Sequence, residues 1–196
     1  MTTRPLLAAL ALALAAHAPV ARAALAAGAP APAFDAPASL AGKAFRFSLA
    51  EALAHGPVVV YFYPSAFTGG CNLEAHTFAV EQEKFAAAGA TIVGVSLDDI
   101  GRLNAFSADP DYCGGRIAVA SDTTGRIARA YAVGVRAATP GRKDTRGAAI
   151  EHDFAERSTF VIGRDGRIAA ALEGLSPTEN VAQALAVVQG LGHGAD

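Results

Sequence analysis

The firmest pattern in the chain is an apolar run from Val58 to Tyr63 that lies between Gly56-Pro57 and Pro64. Because both alternating faces of this run are apolar, it predicts a central strand buried on both sides. Residues 72–88 then carry apolar side chains at helical spacing among Glu and Gln, which predicts a helix directly after the strand. The chain therefore opens its regular structure with a strand followed by a helix.

The rest of the chain continues this alternation. The pattern predicts a strand at 91–96, a helix at 98–108, a strand at 117–120, a short helix at 127–131, a hairpin at 158–171 and a final helix at 177–189. Asp165-Gly166 supplies the turn of the hairpin, and Ser176-Pro177 is a good helix start. Alternating elements closed by a hairpin and a helix predict an α/β fold, with a central mixed sheet flanked by helices on both faces.

The N-terminal segment reads as a targeting signal. Residues 1–23 hold Arg4, an unbroken Leu/Ala run and a small-residue Ala21-Arg22-Ala23 end, as in a secretory signal peptide. A buried Ala/Leu helix is the alternative, but the run has no polar face and is too short to span a bilayer. We expect export to a bacterial periplasm, with residues 24–39 as an extended Ala/Pro-rich leader and residues 40–196 as the folded domain.

Composition narrows the function classes. The 196 residues are 52% hydrophobic and 17% charged, with a net charge of −2, which indicates a globular protein. No basic run is interleaved with aromatics, so we do not expect nucleic acid as a partner. The two cysteines and five histidines show no zinc-site spacing, so we expect neither a metal nor another cofactor.

The candidate chemistry lies in the loop after the central strand. Cys71 stands at the predicted start of a helix, where unpaired backbone N–H groups and the helix dipole favour a thiolate and lower the cysteine pKa. Pro64 can shield that sulfur, and the Thr68 hydroxyl and the Cys71 N–H can hold two oxygens of a substrate. A buried, inert thiol is the alternative for Cys71.

Four segments give the chain a family resemblance. They read YFYPSAFTGGCNLEAHTF, VGVSLDD, VASDTTGRIARAYAV and RSTFVIGRDGRI, and the first contains Pro64-x-x-x-Thr68-x-x-Cys71. Over about residues 29–190 the chain resembles the peroxiredoxins of the AhpC/TSA superfamily, in particular the bacterioferritin-comigratory branch. The resemblance implies a thioredoxin fold with an N-terminal extension, and a thiol peroxidase that reduces hydrogen peroxide or alkyl hydroperoxides.

The resemblance also implies roles for individual residues. Cys71 would be the peroxidatic cysteine that forms a sulfenic acid, Thr68 the substrate-orienting hydroxyl, and Arg157 the guanidinium beside the sulfur. Glu74 would hold the arginine or the helix in place. Since arginine is always charged, Arg157 near Cys71 would stabilise both the thiolate and the charge that develops on the peroxide. Its alternative is a salt bridge to Glu156 or Glu74 at the surface.

A second cysteine is needed to remove the oxygen within one chain. Many relatives carry it five residues after the first, but that position is His76 here, which we interpret as a helix-surface residue. Cys113 is the remaining candidate, and a disulfide with Cys71 would require local unwinding. Cys113 as a bystander, in a one-cysteine peroxidase that uses an external thiol, stays open. A non-catalytic exported domain with a structural disulfide is a further alternative.

The expected partners are small. Besides the peroxide, we expect a thioredoxin-like or other dithiol reductant, no membrane association after signal cleavage, and a monomer or dimer. Residues 136–153 are polar and charged, and we interpret them as a solvated loop without a role.

Overall fold

A computed structural model describes residues 25–192 of the chain. The predicted signal peptide, residues 1–23, lies outside the described residues. Within the described range, no helix combines the length and the apolar character needed to cross a bilayer.

The described chain forms nine strands and five helices. In sequence they are β1 (Asp35–Leu40), β2 (Lys43–Ser48), α1 (Leu49–His55), β3 (Val58–Phe62), α2 (Gly69–Ala87), β4 (Thr91–Ser96), α3 (Ile100–Ala108), β5 (Ala118–Ser121), α4 (Arg126–Ala130), β6 (Val135–Arg136), β7 (Phe154–Ala155), β8 (Ser158–Ile162), β9 (Ile168–Glu173) and α5 (Pro177–Gly192). Helices and strands alternate from α1 to α4.

Seven strands build one mixed sheet in the order β2-β1-β5-β4-β3-β8-β9. The predicted central strand β3 is parallel to β4 and antiparallel to β8, and all five of its residues are buried. Its side chains alternate between two apolar clusters, with Val60 and Phe62 in one and Val59 and Tyr61 in the other. The first cluster includes residues of α1 and α4, and the second includes residues of α2, α3 and α5. The predicted α/β fold with helices on both faces is thus confirmed.

The predicted leader is wrong in its last residues. Asp35–Leu40 is strand β1, which pairs antiparallel with both β2 and β5 inside the sheet. Its inward side chains include Ala36 and Ala38, which are too small to give a recognisable hydrophobic alternation in the sequence. The folded domain therefore begins before residue 40.

The segment between β6 and β7, residues 137–153, is largely exposed, as its interpretation as a solvated loop predicts, but it also contacts the rest of the fold. The two short strands pair with each other and close this segment into a covering loop. At its tip the Thr145 N–H donates to the Phe67 carbonyl at 2.9 Å, in the turn that connects β3 to α2. We call residues 64–68 the β3–α2 turn. The covering loop thus lies on the turn that precedes Cys71.

Candidate active site

Cys71 lies in the first turn of α2, directly after the β3–α2 turn. The helix begins at Gly69 with Thr68 as its N-cap residue, and the Asn72 N–H donates to the Thr68 carbonyl at 2.8 Å. The Cys71 side chain is 3% exposed and is a free thiol. The sulfur therefore lies at the carboxyl edge of the sheet, because the central strand β3 ends shortly before the start of α2.

Arg157 reaches the sulfur from the neighbouring strand. It immediately precedes β8, and β8 pairs with β3, so its side chain lies across the edge from Cys71. Its Nη2 is 3.6 Å from Cys71 Sγ, and its Nη1 donates to Glu74 Oε2 in a partly buried ion pair. Glu156 instead faces Arg136, at 3.8 Å. Arg157 therefore bridges the thiol and a carboxylate, as the resemblance implies.

Glu74 is held inside the protein by a residue that the sequence did not point to. Asn180 of α5 is 1% exposed, and its Nδ2 donates to Glu74 Oε1 at 2.7 Å and to Thr159 Oγ1 at 2.7 Å. Burial raises the pKa of Glu74 to about 7, although Arg157 and Asn180 act in the opposite direction. The carboxyl group thus orients the guanidinium and is poised to lose its own charge near neutral pH.

The Thr68 hydroxyl lies beside the Cys71 thiol. Its Oγ1 donates to the Ser65 carbonyl at 2.9 Å, within the β3–α2 turn. Because the hydroxyl proton is engaged there, the oxygen lone pairs can accept a hydrogen bond from a substrate O–H. Pro64 opens the same turn and is half-buried. The turn thus carries both Pro64 and Thr68 ahead of Cys71, with the spacing of the motif.

The absence of a side chain at Gly70 provides room for the Arg157 guanidinium. A Cβ atom at this position would lie 3.2 Å from Arg157 Nη2, whereas a Cβ at the adjacent Gly69 would meet nothing within 4 Å. The two glycines therefore differ in function, although both belong to the first turn of α2. Gly70 permits the guanidinium to approach the helix.

The pKa of Cys71 corrects the expectation of a lowered value. Burial raises the pKa of the thiol above its ordinary range, because the charged sulfur loses its hydration. Arg157 is the largest opposing influence, followed by contacts with the Ser65 backbone and the Thr68 hydroxyl, while Glu74 adds to the rise. Arg157 is thus the strongest of the contacts that favour the thiolate over the thiol.

Cys113 is buried in the same apolar cluster as Cys71 and is also a free thiol. It lies in the turn after α3, where the rings of Phe67, Phe106 and Tyr112 pack against one another at centroid distances of 5.0, 5.6 and 5.8 Å. Burial raises the pKa of Cys113 strongly, and Asp109 adds to the rise. No disulfide joins the two cysteines in this structure.

His76 is an exposed residue of α2, in line with its interpretation as a helix-surface histidine. Its Nδ1–H donates to the Asp111 carbonyl at 3.0 Å, two residues before Cys113. His76 therefore contacts the turn that carries Cys113.

Comparison with known proteins places this arrangement in a family. The sequence profile of the AhpC/TSA family matches residues 27–171. The chain belongs to the AhpC/TSA family. The AhpC/TSA match includes the β3–α2 turn, Cys71, Cys113 and Arg157, and it confirms the resemblance drawn from the motifs.

Individual relatives in the AhpC/TSA family are peroxiredoxins. The chain is 30% identical to Peroxiredoxin Bcp of Bacillus subtilis over 128 residues, which is 65% of this chain and 74% of that protein. It is 51% identical to the chloroplastic Peroxiredoxin Q of Populus jackii over 51 residues, 26% of this chain and 24% of that protein.

Solved structures agree with these sequence relatives. Peroxidoxin BcpB of Mycobacterium tuberculosis superposes with a TM-score of 0.69 at 26% identity, covering 85% of this chain and 97% of that one. Peroxiredoxin Q of Xanthomonas campestris superposes with a TM-score of 0.63 at 28% identity, covering 80% and 90%. Fold and family together support a peroxidase that acts through a thiol.

Proposed function

We propose that the protein reduces hydrogen peroxide or small organic hydroperoxides, with the Cys71 sulfur as the attacking atom. The observation that carries this proposal is the contact between Arg157 Nη2 and Cys71 Sγ at 3.6 Å, beside a Thr68 hydroxyl that also contacts the thiol. A permanent cation beside a thiol at a helix start favours a nucleophilic sulfur over an inert one. The guanidinium is partly buried and contacts the sulfur in addition to its ion pair with Glu74.

The first half-reaction is a displacement at oxygen. The Cys71 thiolate attacks one peroxide oxygen, the O–O bond breaks, and the sulfur is oxidised to a sulfenic acid. The other oxygen leaves with a proton as water or an alcohol. Arg157 stabilises the negative charge first on the sulfur and then on the departing oxygen, while Thr68 accepts a hydrogen bond that orients the peroxide.

In the second half-reaction we assign Cys113 the resolving role. Its sulfur attacks the Cys71 sulfenic acid, a disulfide forms, and the sulfenic oxygen leaves as water. A thioredoxin-like or other dithiol then reduces the disulfide by exchange. Because Cys113 is fully buried, this role requires the turn after α3 and the start of α2 to open.

A one-cysteine cycle is the second candidate, and the burial of Cys113 favours it. In that cycle an external thiol attacks the Cys71 sulfenic acid, and Cys113 keeps its place in the core. A non-catalytic domain with a structural disulfide has less support, because both cysteines are free thiols.

Titration of the fully reduced protein with peroxide separates these cycles. We expect two thiols to be lost for each peroxide consumed, with a Cys71–Cys113 disulfide found by peptide mass spectrometry. Loss of one thiol would favour the one-cysteine cycle, and no loss would remove the peroxidase proposal. The Cys113→Ser variant is the control, since its Cys71 should lose one thiol in every version of the cycle.

We also propose that residues 1–23 direct export and that the protein acts in the periplasm as a monomer or dimer. The support is the sequence pattern of that segment. N-terminal sequencing of the protein recovered from a periplasmic fraction tests the proposal. A mature chain that begins near residue 24 is the expected result, and an intact Met1 in the cytoplasmic fraction would contradict it.

A further inference from the structure

One carboxylate, that of Asp98, holds the β3–α2 turn through hydrogen bonds. Asp98 follows β4 and is fully buried. Its Oδ1 accepts from the Ser65 hydroxyl at 2.9 Å, and its Oδ2 accepts from the Ala66 N–H at 2.8 Å and from the Ser96 hydroxyl at 2.7 Å. Ser65 and Ala66 lie between Pro64 and Thr68, so Asp98 fixes the part of the turn that presents Thr68.

His152 joins this carboxylate from the covering loop. Its Nε2 is 2.7 Å from Asp98 Oδ1 and its Nδ1 is 2.7 Å from the Asp153 carbonyl. A carboxylate and a carbonyl can only accept, so both ring nitrogens donate and the imidazole fits its charged form. The side chain is 22% exposed, so water can reach it.

This cluster lacks the geometry of a hydrolytic Ser-His-Asp triad. In such a triad the carboxylate and the hydroxyl lie on opposite ring nitrogens. Here the same Nε2 faces Asp98 and, at 3.3 Å, the Ser65 hydroxyl. Ser65 is also fully buried. The arrangement is suited to holding a turn in place.

Other charged groups face the same cluster. Arg102 of α3 is paired with Asp98 at 2.8 Å and with Asp144 of the covering loop at 2.9 Å, and its Nη2 donates to the Ala66 carbonyl at 2.8 Å. The titratable and charged residues around His152 and Asp98 are Asp98, Asp99, Arg102, Asp144, Arg146, Glu151, His152 and Asp153. The β3–α2 turn is therefore held by charge from two separate elements.

The proposed cycle needs this turn in two states. Peroxide reduction uses Thr68 and Cys71 as the structure places them. Disulfide formation needs the Cα atoms of Cys71 and Cys113 within ~4.4–6.8 Å, and the two buried thiols belong to different elements, the first turn of α2 and the turn after α3. A contact that holds the β3–α2 turn therefore favours the first step and opposes the second.

We propose that His152 and Asp98 are positioning residues that hold the β3–α2 turn in its peroxide-reducing conformation, and that release of their contact promotes the disulfide between Cys71 and Cys113. This inference rests on the proposed function. Neither residue touches the reacting atoms. The step that release promotes is attack of the Cys113 sulfur on the Cys71 sulfenic acid, which forms the disulfide and expels water.

The contact depends on pH through His152. Hydrogen bonding to Asp98 and its charge raise the pKa of His152, although burial acts in the opposite direction. Hydrogen bonds from His152, Ala66 and Ser96 hold the pKa of Asp98 below its ordinary range, so the carboxylate stays charged. His152 is therefore charged below its raised pKa, and the contact weakens as the pH rises through that value.

The first test needs no peroxide. We expect His152→Ala to increase hydrogen exchange of the Ala66 N–H about tenfold at pH 6. The Ala66 N–H donates to Asp98, and the substitution removes the charged hydrogen bond that holds the Asp98 carboxylate in place. His152→Gln retains a donor and should show a smaller increase. His55→Ala, which removes an exposed histidine of α1, is the matched control and should exchange like the wild type.

The second test follows the reduced protein after addition of a few equivalents of hydrogen peroxide, because over-oxidation of a Cys71 sulfenic acid consumes a second peroxide. In His152→Ala we expect slower loss of the Cys71 thiol, faster formation of the disulfide, and less over-oxidised Cys71, each by several-fold. The ratio of disulfide to over-oxidised Cys71 in wild type should approach that of His152→Ala as the pH rises, whereas the ratio in His152→Ala should depend less on pH. The rates of Cys71 thiol loss are compared at one pH, because they also follow the ionisation of Cys71 itself.

Two results would overturn the inference. One is equal Ala66 exchange in wild type and His152→Ala, and the other is an unchanged ratio of disulfide to over-oxidised Cys71. If wild type consumes no peroxide, the proposed function fails, and the exchange experiment then decides on its own whether His152 holds the turn.

Discussion

Cys71 and Cys113 are equally hidden from solvent but differ in the charges that surround them. Both belong to one apolar cluster, and burial raises the pKa of each thiol. Arg157 opposes that rise at Cys71, whereas Asp109 adds to it at Cys113. Burial therefore does not distinguish the two thiols, whereas the guanidinium beside Cys71 does.

The largest expected difference between the two cysteines is obtained by replacing each of them in turn. Cys71→Ser should lower the rate of peroxide consumption by at least about 10³-fold, since no other thiol has a cation beside it. Cys113→Ser should keep the first peroxide reduction close to the wild-type rate. Stopped-flow measurement of peroxide loss in a single turnover checks both variants. Equal losses in the two variants would contradict the assignment of the attacking sulfur.

Removal of the cation should make Cys71 resemble Cys113. Arg157→Ala should raise the pKa of Cys71 further and slow peroxide attack by about 10²-fold at neutral pH, because the charge on sulfur and oxygen loses its stabilising partner. The measurement is the pH dependence of the attack rate. Arg157→Lys keeps the charge without the two-pronged contact and serves as the control. An unchanged rate in Arg157→Ala would remove Arg157 from the active site.

Glu74, the partner of Arg157, can be tested through the pH dependence of the free energy of unfolding. Its pKa rises from an ordinary value of 4.5 in the unfolded chain to about 7 in the fold, so between these values the folded state binds the extra proton. The contribution of Glu74 to the free energy of unfolding therefore decreases with rising pH, by about 3 kcal/mol in total. Urea unfolding between pH 5 and 8 should show this decrease in wild type and not in Glu74→Gln. Parallel pH profiles would contradict it.

Gly70 gives the smallest and most local test. Gly70→Ala should displace the Arg157 guanidinium by a few tenths of an ångström and cost about 1 kcal/mol in the transition state, or about fivefold in attack rate. Gly69→Ala meets nothing within 4 Å and should leave the rate unchanged. Both variants gain similar helix propensity, so their ratio isolates the contact with Arg157. Equal rates in the two variants would show that the contact is unimportant.

The sequence was most informative where hydrophobic pattern and motif agree. The run Val58 to Tyr63 is apolar on both alternations, and β3 is buried on both faces. The sequence pattern does not predict strand β1, because its alanine and serine residues give no hydrophobic alternation. In the structure this strand pairs with β2 on one side and with β5 on the other. Packing of small side chains is visible only once the neighbouring strands are in place.

The residues of the active site also differ in whether the sequence alone predicts them. The spacing of Pro64, Thr68 and Cys71 is local and can be read directly. Asn180 could have been suspected, because it falls on the buried stripe of α5 with Val181, Ala184 and Val188. Asp98 carried a weaker signal as a carboxylate just after a buried strand, and His152 carried none. Its contact with Asp98 spans 54 residues and depends on how the covering loop folds back.

The most direct test of the account is the site of first oxidation. Reduced wild-type protein is treated with one equivalent of hydrogen peroxide in the presence of a reagent that traps sulfenic acids, and the peptides are identified by mass spectrometry. The account predicts the trapped adduct, or a disulfide to Cys113, at Cys71. A sulfenic acid on Cys113 with Cys71 left as a thiol would contradict it.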